Sequence, residues 1–168
     1  MISRPSVSEY APYYQTYISK VEDDVTAQLV QQSDELVSII EEYEDKLDYA
    51  YAEGKWTLRQ VVIHLLDTEQ IFAYRLLRIS RGDTTPMAGF DQDTFIENSD
   101  FTHLDAGDLI RMVESQRSHT FSLINSLTTD KYELSGTASD NTVSVRALIF
   151  MIAGHMHHHL EIINDRYI

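Results

Sequence analysis

The chain has 168 residues, which suits one globular domain and is short for two. Its 43% hydrophobic content argues against disorder, its formal net charge of -14 disfavours nucleic-acid binding, and its lack of cysteine excludes disulfides, thiolate metal sites and a cysteine nucleophile. No apolar run approaches the roughly twenty residues that span a bilayer, and the N-terminus has no signal-peptide pattern. We therefore expect a cytoplasmic protein that binds neither nucleic acid nor membranes.

Helical periodicity dominates the long segments, because only six glycines and three prolines interrupt the sequence. Near the N-terminus, tyrosines recur three to four residues apart, at Tyr10, Tyr13, Tyr14 and Tyr17. This spacing predicts that residues 1–20 contain a short amphipathic turn or helix, which packs aromatic rings on the rest of the domain. The first long helix is predicted from about Val21 to Tyr43.

The second long helix has clear start and stop signals. Thr57 and Gln60 form a capping-box pattern at its start, and Arg81-Gly82-Asp83 supplies the usual end. Residues 83–98 carry only one helical turn, around 91–97, and therefore predict a long crossover loop.

The third long helix is predicted to open at Asp105 and Asp108 and to continue with apolar residues at bundle spacing. Gln116 and His119 interrupt this apolar stripe or its flank. Such polar positions need partners, so two roles stay open for both residues: lining a pocket or hydrogen bonding in the core.

Residues 128–142 are rich in Thr, Ser, Asp and Gly and predict a loop. Thr142 or Ser144 can then cap a fourth long helix that runs to about Arg166. Four long helices predict an all-α fold, a four-helix bundle with a long crossover connection between its second and third helices. We expect one domain over residues 1–168.

Four of the seven histidines lie within five residues of the predicted fourth helix, at His155, His157, His158 and His159. An expression tag is disfavoured, because the cluster lies inside an amphipathic pattern rather than at a terminus. His155 and His159 are four apart and share the inward face, whereas His158 lies roughly 80 degrees from the pair and His157 roughly opposite. One inward histidine is more often a hydrogen-bonded core residue, but a pair with this spacing favours metal ligation.

A catalytic zinc-like site usually has three protein ligands, so a third is needed. His64 is the best candidate, because it flanks the apolar stripe of a different helix. Asp67 and Glu69 are candidates to orient a ligand imidazole, with a helix-surface role equally open. Arg75 follows His64 by eleven residues on nearly the same face and is predicted to pair with an acid across the bundle, with anchoring of an anionic substrate group as the alternative.

Three stretches together resemble the DinB superfamily, also called the DinB/YfiT-like family: KWTLRQVVIHLLDTE at 55–69, FAYR at 72–75 and AGHMHHHL at 153–160. The similarity runs from about residue 25 to the end. It implies an antiparallel four-helix bundle that holds a divalent metal through three histidines, which correspond here to His64, His155 and His159. It also implies a homodimer and a metal-dependent hydrolase, or an enzyme that activates a low-molecular-weight thiol for transfer to an electrophile.

Three neutral imidazoles would leave the metal its +2 charge, which favours ionisation of a bound water or thiol. A thiol would have to arrive as a cosubstrate, since the chain has no cysteine. Zinc, nickel and ferrous iron all suit such a site. His158 stays open as an alternative ligand or a neighbour of the ligands, and Glu161 as a general base or a solvated acid. We expect a small-molecule substrate; the alternative is a non-catalytic bundle that binds a metal or another ligand.

Overall fold

The computed structural model describes all 168 residues and contains four long helices. Together with two short ones, the helices are α1 (Gln15–Ile18), α2 (Val25–Glu42), α3 (Leu58–Ser80), α4 (Gln92–Glu97), α5 (Ala106–Asn125) and α6 (Val145–Arg166). Two short strands, β1 (Ser135–Ala138) and β2 (Asn141–Ser144), form a hairpin before α6. The predicted four-helix bundle is confirmed. None of the helices combines the length and apolar character needed to cross a bilayer.

Local capping explains where the later helices begin. The Thr57 side chain accepts a hydrogen bond from the Gln60 amide at 3.2 Å, and Gln60 bonds back to the Thr57 amide. Asp105 starts α5 in the same way, with a bond of 2.7 Å from the amide of Asp108. Ser144, one of two predicted caps, accepts from the first turn of α6. Each cap satisfies an amide that has no partner within the helix.

Helices α2 and α6 lie side by side and run in the same direction. Gln32 donates to the carbonyl of Ala153, and three residues later Glu35 accepts from Asn164, which lies further along α6. Helices α3 and α6 make the most extensive helix pair of the bundle, and α2 also packs on α5. Consecutive helices α2 and α3 are therefore diagonal rather than adjacent.

Helices α3 and α5 form the other parallel pair. Arg59 and Glu69 on α3 bond to Leu104 and Arg117, respectively, so both helices advance from the same end. Parallel neighbours require the chain to return along the bundle between them. This explains the long connection of residues 81–105, which contains α4 and confirms the predicted crossover.

The prediction of a loop over residues 128–142 is wrong in part, because β1 and the first half of β2 lie there. The turn of the hairpin places Ser139 and Asp140 at positive φ, 49° and 61°. The crossover connection docks on the hairpin: the Met87 amide donates to Thr137 at 2.9 Å, and the Ser139 amide donates to Met87 at 3.0 Å. Backbone hydrogen bonds to the distant crossover connection stabilise these strands. Their side chains do not alternate between apolar and polar, so the sequence pattern does not predict them.

The N-terminal segment packs on the first half of α6, and Gly154 permits this close approach. A Cβ at Gly154 would lie 2.5 Å from the carbonyl oxygen of Tyr17. Tyr10 and Ile18 are buried in the same cluster of apolar residues, whereas Tyr13 is exposed. Contact between α1 and α6 thus brings Tyr17 over the part of α6 that carries the histidines.

Candidate metal centre

Three histidines from two helices converge inside the bundle. His64 lies in the second turn of α3, and His155 and His159 lie one turn apart on the facing side of α6. One ring nitrogen from each lies within 4.8 Å of the others, and the Nε2 atoms of His64 and His155 are 3.0 Å apart. Donors in a tetrahedral zinc site are separated by roughly 3.3 Å, given Zn–N bonds of about 2.0–2.1 Å. The closest pair therefore has a separation suited to metal ligation.

Burial keeps these imidazoles uncharged at neutral pH. It lowers the pKa of His64 to about 4 and that of His159 to about 3, with His64 and His158 adding to the shift of His159. Burial also lowers the pKa of His155 well below its usual range, helped by the neighbouring histidines. A neutral imidazole is the form that binds a metal. The three side chains fit a divalent cation in position, donor type and protonation state.

Aromatic rings pack around the histidines and restrict their orientations. The Trp56 ring lies 4.9 Å from that of His64, centroid to centroid, and the Tyr17 ring lies 5.7 Å from that of His155. Phe72 contacts His155 from the interior side at 6.3 Å. His64 and His155 are buried, whereas His159 is only partly buried. The centre is therefore open on the side of His159.

A cleft of about 260 Å³ opens beside His159. Its walls combine apolar or aromatic side chains with one lysine and one carboxylate. Besides His159, the lining residues are Tyr51, Gly54, Lys55, Trp56, Val61, Asp93, Ile162 and Tyr167. The Tyr167 hydroxyl donates to the carbonyl of Trp56 at 2.7 Å, which ties the end of α6 to the start of α3. The volume suits a small molecule rather than a polymer.

The remaining residues of the histidine cluster lie outside the convergent group. His158 is partly buried and packs its ring on Tyr17 and His159, at 5.2 Å from each. His157 lies 3.3 Å from Glu161, which also pairs with Lys20. The Glu161 carboxylate is thus engaged at the surface and does not line the cleft, so the structure does not support it as a general base.

Asp67, Gln116 and His119 lie together, but away from the histidine triad. They line an open groove of about 520 Å³ between α3 and α5, together with Tyr74. Gln116 bonds to Thr120 at 3.4 Å, and His119 is exposed. These residues therefore line a groove that is separate from the cleft beside His159.

Glu69 is buried and bonds to Arg117 and Thr120 of α5, a network that sequence reasoning missed. The prediction that Arg75 pairs with an acid is wrong. Its guanidinium is buried near the other end of α3 and bonds to the carbonyl of Ala88 and the hydroxyl of Ser139. Helical spacing alone predicted an acid opposite Arg75. The crossover connection and the hairpin occupy that position instead.

Sequence reasoning also missed most of the cleft. Ile162 follows His159 by three residues, so helical spacing could have placed it beside the ligand. Trp56 directly precedes the capping residue Thr57, and that position gives no local indication that its side chain lines the cleft. Tyr51, Lys55 and Asp93 come from connections whose path depends on tertiary contacts, so no local pattern identifies them.

A sequence model of the DinB superfamily matches residues 28–163. Two curated relatives share the name "putative metal-dependent hydrolase". The relative from Oceanobacillus iheyensis is 31% identical over 119 residues, which cover 70% of this chain and 68% of the relative. YfiT from Bacillus subtilis is 25% identical over 164 residues, which cover 95% and 90%.

The solved structure of Bacillus subtilis YfiT is described as a probable metal-dependent hydrolase with an unusual four-helix bundle topology. It superposes with a TM-score of 0.71 at 20% identity, over 98% of this chain and 94% of that chain. At this level of identity the similarity shows a common fold. The names of the relatives and the three-histidine group together support a divalent metal.

Proposed function

The chain belongs to the DinB superfamily, and on that basis we propose that it is a divalent-metal-dependent hydrolase of small molecules. One observation carries the proposal: three uncharged histidines converge inside the bundle, and one of them, His159, lines an open cleft. Three protein ligands with an open position are typical of catalytic sites, whereas structural zinc sites have four protein ligands.

His64, His155 and His159 would hold the ion through their ring nitrogens. A divalent cation at this position supplies Lewis acidity, which polarises a substrate and favours ionisation of a bound nucleophile. The three imidazoles carry no negative charge, so the site would keep the net charge of the ion at +2. Trp56, Tyr17 and Phe72 hold the imidazole rings in place by packing.

The residues that line the cleft are suited to different parts of a substrate. Tyr51, Trp56 and Tyr167 present aromatic surface to an apolar part of the substrate. Lys55 is the cation on the cleft wall and is suited to an anionic group of the substrate. Asp93 is the only acid that lines the cleft, and we assign it the acceptance of a proton from the attacking water.

Transfer of a low-molecular-weight thiol to an electrophile is the second candidate. Aromatic rings pack on the histidine triad, and no carboxylate hydrogen-bonds to any of the three imidazoles. A thiol, with an ordinary pKa near 8.5, ionises far more readily than water and needs less help from a general base. A site without a general base next to the metal ligands therefore favours a thiol over water as the nucleophile.

Metal analysis of the untagged protein tests the site. We expect one divalent ion per chain, loss of the ion in His64→Ala and in His159→Ala, and its retention in His119→Ala. His119 is the matched control, because its side chain is exposed and lies outside the triad. Stoichiometric metal in both of the first two variants would refute the site.

Turnover by the metal-loaded protein then separates the two chemistries. One panel contains esters and amides, and the other contains small thiols paired with electrophiles. Asp93→Asn is expected to slow hydrolysis by about 10²–10⁴-fold and to leave thiol transfer nearly unchanged, because only hydrolysis uses the proton acceptor. Retained metal without turnover in either panel would favour the non-catalytic bundle.

The homodimer that the family resemblance implies stays a prediction. Sedimentation velocity at micromolar concentration tests it, and a single monomeric species across the concentration range would contradict it.

A further inference from the structure

Arg75 is a buried cation without a carboxylate partner. Its residue surface is only 3% exposed, and it forms none of the protein's ion pairs. One guanidinium nitrogen, Nη2, donates to the carbonyl oxygen of Ala88 at 2.9 Å and to the hydroxyl of Ser139 at 3.0 Å. The Tyr14 hydroxyl also bonds to the guanidinium. All three partners are neutral, so they leave the charge of Arg75 uncompensated.

The two other buried arginines of the chain each have a carboxylate partner, which Arg75 lacks. Arg59 bonds through two nitrogens to the carboxylate of Asp48, and Arg117 bonds to the carboxylate of Glu69. Burial of a charge is costly unless an opposite charge compensates it. Arg75 is as buried as these two, and the same physical requirement therefore calls for an anion from outside the chain.

A small cavity lies against the Arg75 side chain. It has a volume of about 20 Å³, and its polar wall consists of Tyr14, Ser139, Asn141 and Thr142. No acid lines it. One water needs roughly 10–15 Å³ by the same measure, so the space suits a single small ion rather than a metabolite.

Tyr14 does not supply the missing charge. Burial raises the pKa of its phenol, which therefore stays neutral at physiological pH. Its hydroxyl, together with the side chains of Ser139, Asn141 and Thr142, provides hydrogen-bond donors of the kind that surround an anion.

We propose that this cavity binds a small monovalent inorganic anion, of which chloride is the common example, as the counter-ion of Arg75. The ion would join α3 to the N-terminal segment through Tyr14 and to the hairpin through Ser139, while Arg75 itself bonds to the crossover connection at the carbonyl of Ala88. This site is separate from the histidine triad, since eleven residues of helix between His64 and Arg75 span about 16 Å.

Bromide in crystals of the full chain gives a direct test, because its anomalous scattering identifies the ion independently of any variant. We expect a bromide peak within hydrogen-bond distance of the Arg75 guanidinium in the wild-type protein. Ser139→Ala, which removes one hydroxyl from the wall, is expected to lower its occupancy. A water in the cavity with no anomalous signal would overturn the proposal.

Thermal unfolding supplies the solution test. At matched ionic strength the wild-type Tm is expected to be about 2–4 °C higher in sodium chloride than in sodium gluconate, whose anion is too large for the cavity. Arg75→Met is expected to abolish the difference, and Arg81→Gln, an exposed arginine of the same region, to keep it. Equal Tm values in both salts for the wild-type protein would overturn the proposal, whether or not Arg75→Met folds.

Discussion

Replacing Arg117 by methionine is expected to destabilise the bundle by about 3–5 kcal/mol, because it leaves a buried carboxylate without its cation. The side chains of Arg117 and Glu69 are only 5% and 6% exposed. Arg117 donates to Glu69 at 2.9 Å and to the carbonyl of Leu29 at 2.9 Å, while the second carboxylate oxygen accepts from Thr120 at 2.6 Å. The pair thus joins α2, α3 and α5 in the interior.

Glu69→Leu should cost a similar 3–5 kcal/mol, since it leaves the Arg117 charge with only the Leu29 carbonyl. The double variant Glu69→Leu/Arg117→Met removes both charges and leaves the Thr120 hydroxyl without its carboxylate acceptor, which costs about 1–3 kcal/mol. The singles therefore add up to about 6–10 kcal/mol against 1–3 for the double, a coupling of at least about 3 kcal/mol. Folding free energies of about 5–15 kcal/mol make these losses measurable.

Urea unfolding followed by circular dichroism measures all four proteins, with equal m-values as the check on two-state behaviour. The exposed pair Asp108–Arg111 provides the matched control, for which the same cycle is expected to give about 0–1 kcal/mol. A coupling between Glu69 and Arg117 below about 0.5 kcal/mol would refute the reasoning, because it would mean that the two charges do not depend on each other.

Two further changes test how the N-terminal segment attaches to α6. Gly154→Ala should cost about 1–3 kcal/mol in urea unfolding, because the new Cβ meets the Tyr17 backbone. Gly107→Ala should cost less, because its Cβ would meet only the ends of the Arg111 and Asp105 side chains, at 3.3 Å; equal effects would contradict this. Arg146 lowers the Glu9 pKa from 4.5 to about 2, so this carboxylate stabilises the fold above pH 4.5 and the contribution is lost as the pH falls towards 2. Glu9→Gln should remove about 2 kcal/mol from the difference in unfolding free energy between pH 5 and pH 3, because at pH 3 the carboxylate still keeps part of its contribution; an unchanged difference would contradict it.

The sequence predicts those features that depend on neighbours within one or two helical turns. Thr57 and Asp105 cap their helices as predicted, because a cap and its target amide are three residues apart. His155 and His159 share a face because they are four residues apart, and the structure brings His64 to them from the facing helix.

Features that depend on distant segments are the ones that the sequence does not reveal. The hairpin of β1 and β2 has mostly small polar residues, and its pairing with Met87 comes from a segment some fifty residues earlier. The partnership of Glu69 with Arg117 joins two helices, and neither residue differs in local pattern from a solvated helix residue. Each of these contacts becomes visible only when the order of the helices around the bundle is known.

Helix α3 shows why spacing alone could place His64 and misjudge Arg75. Eleven residues bring both side chains to nearly the same face, so periodicity predicts the same direction for each. The segments that face the two residues differ. Helix α6 places His155 against the first turns of α3, whereas the crossover connection and the hairpin cover its last turns. The parallel arrangement of α3 and α5 causes this difference, because the returning chain must cross the end of α3 that carries Arg75. The Arg75 guanidinium therefore meets a backbone carbonyl and a hydroxyl where helical spacing alone suggested an acid.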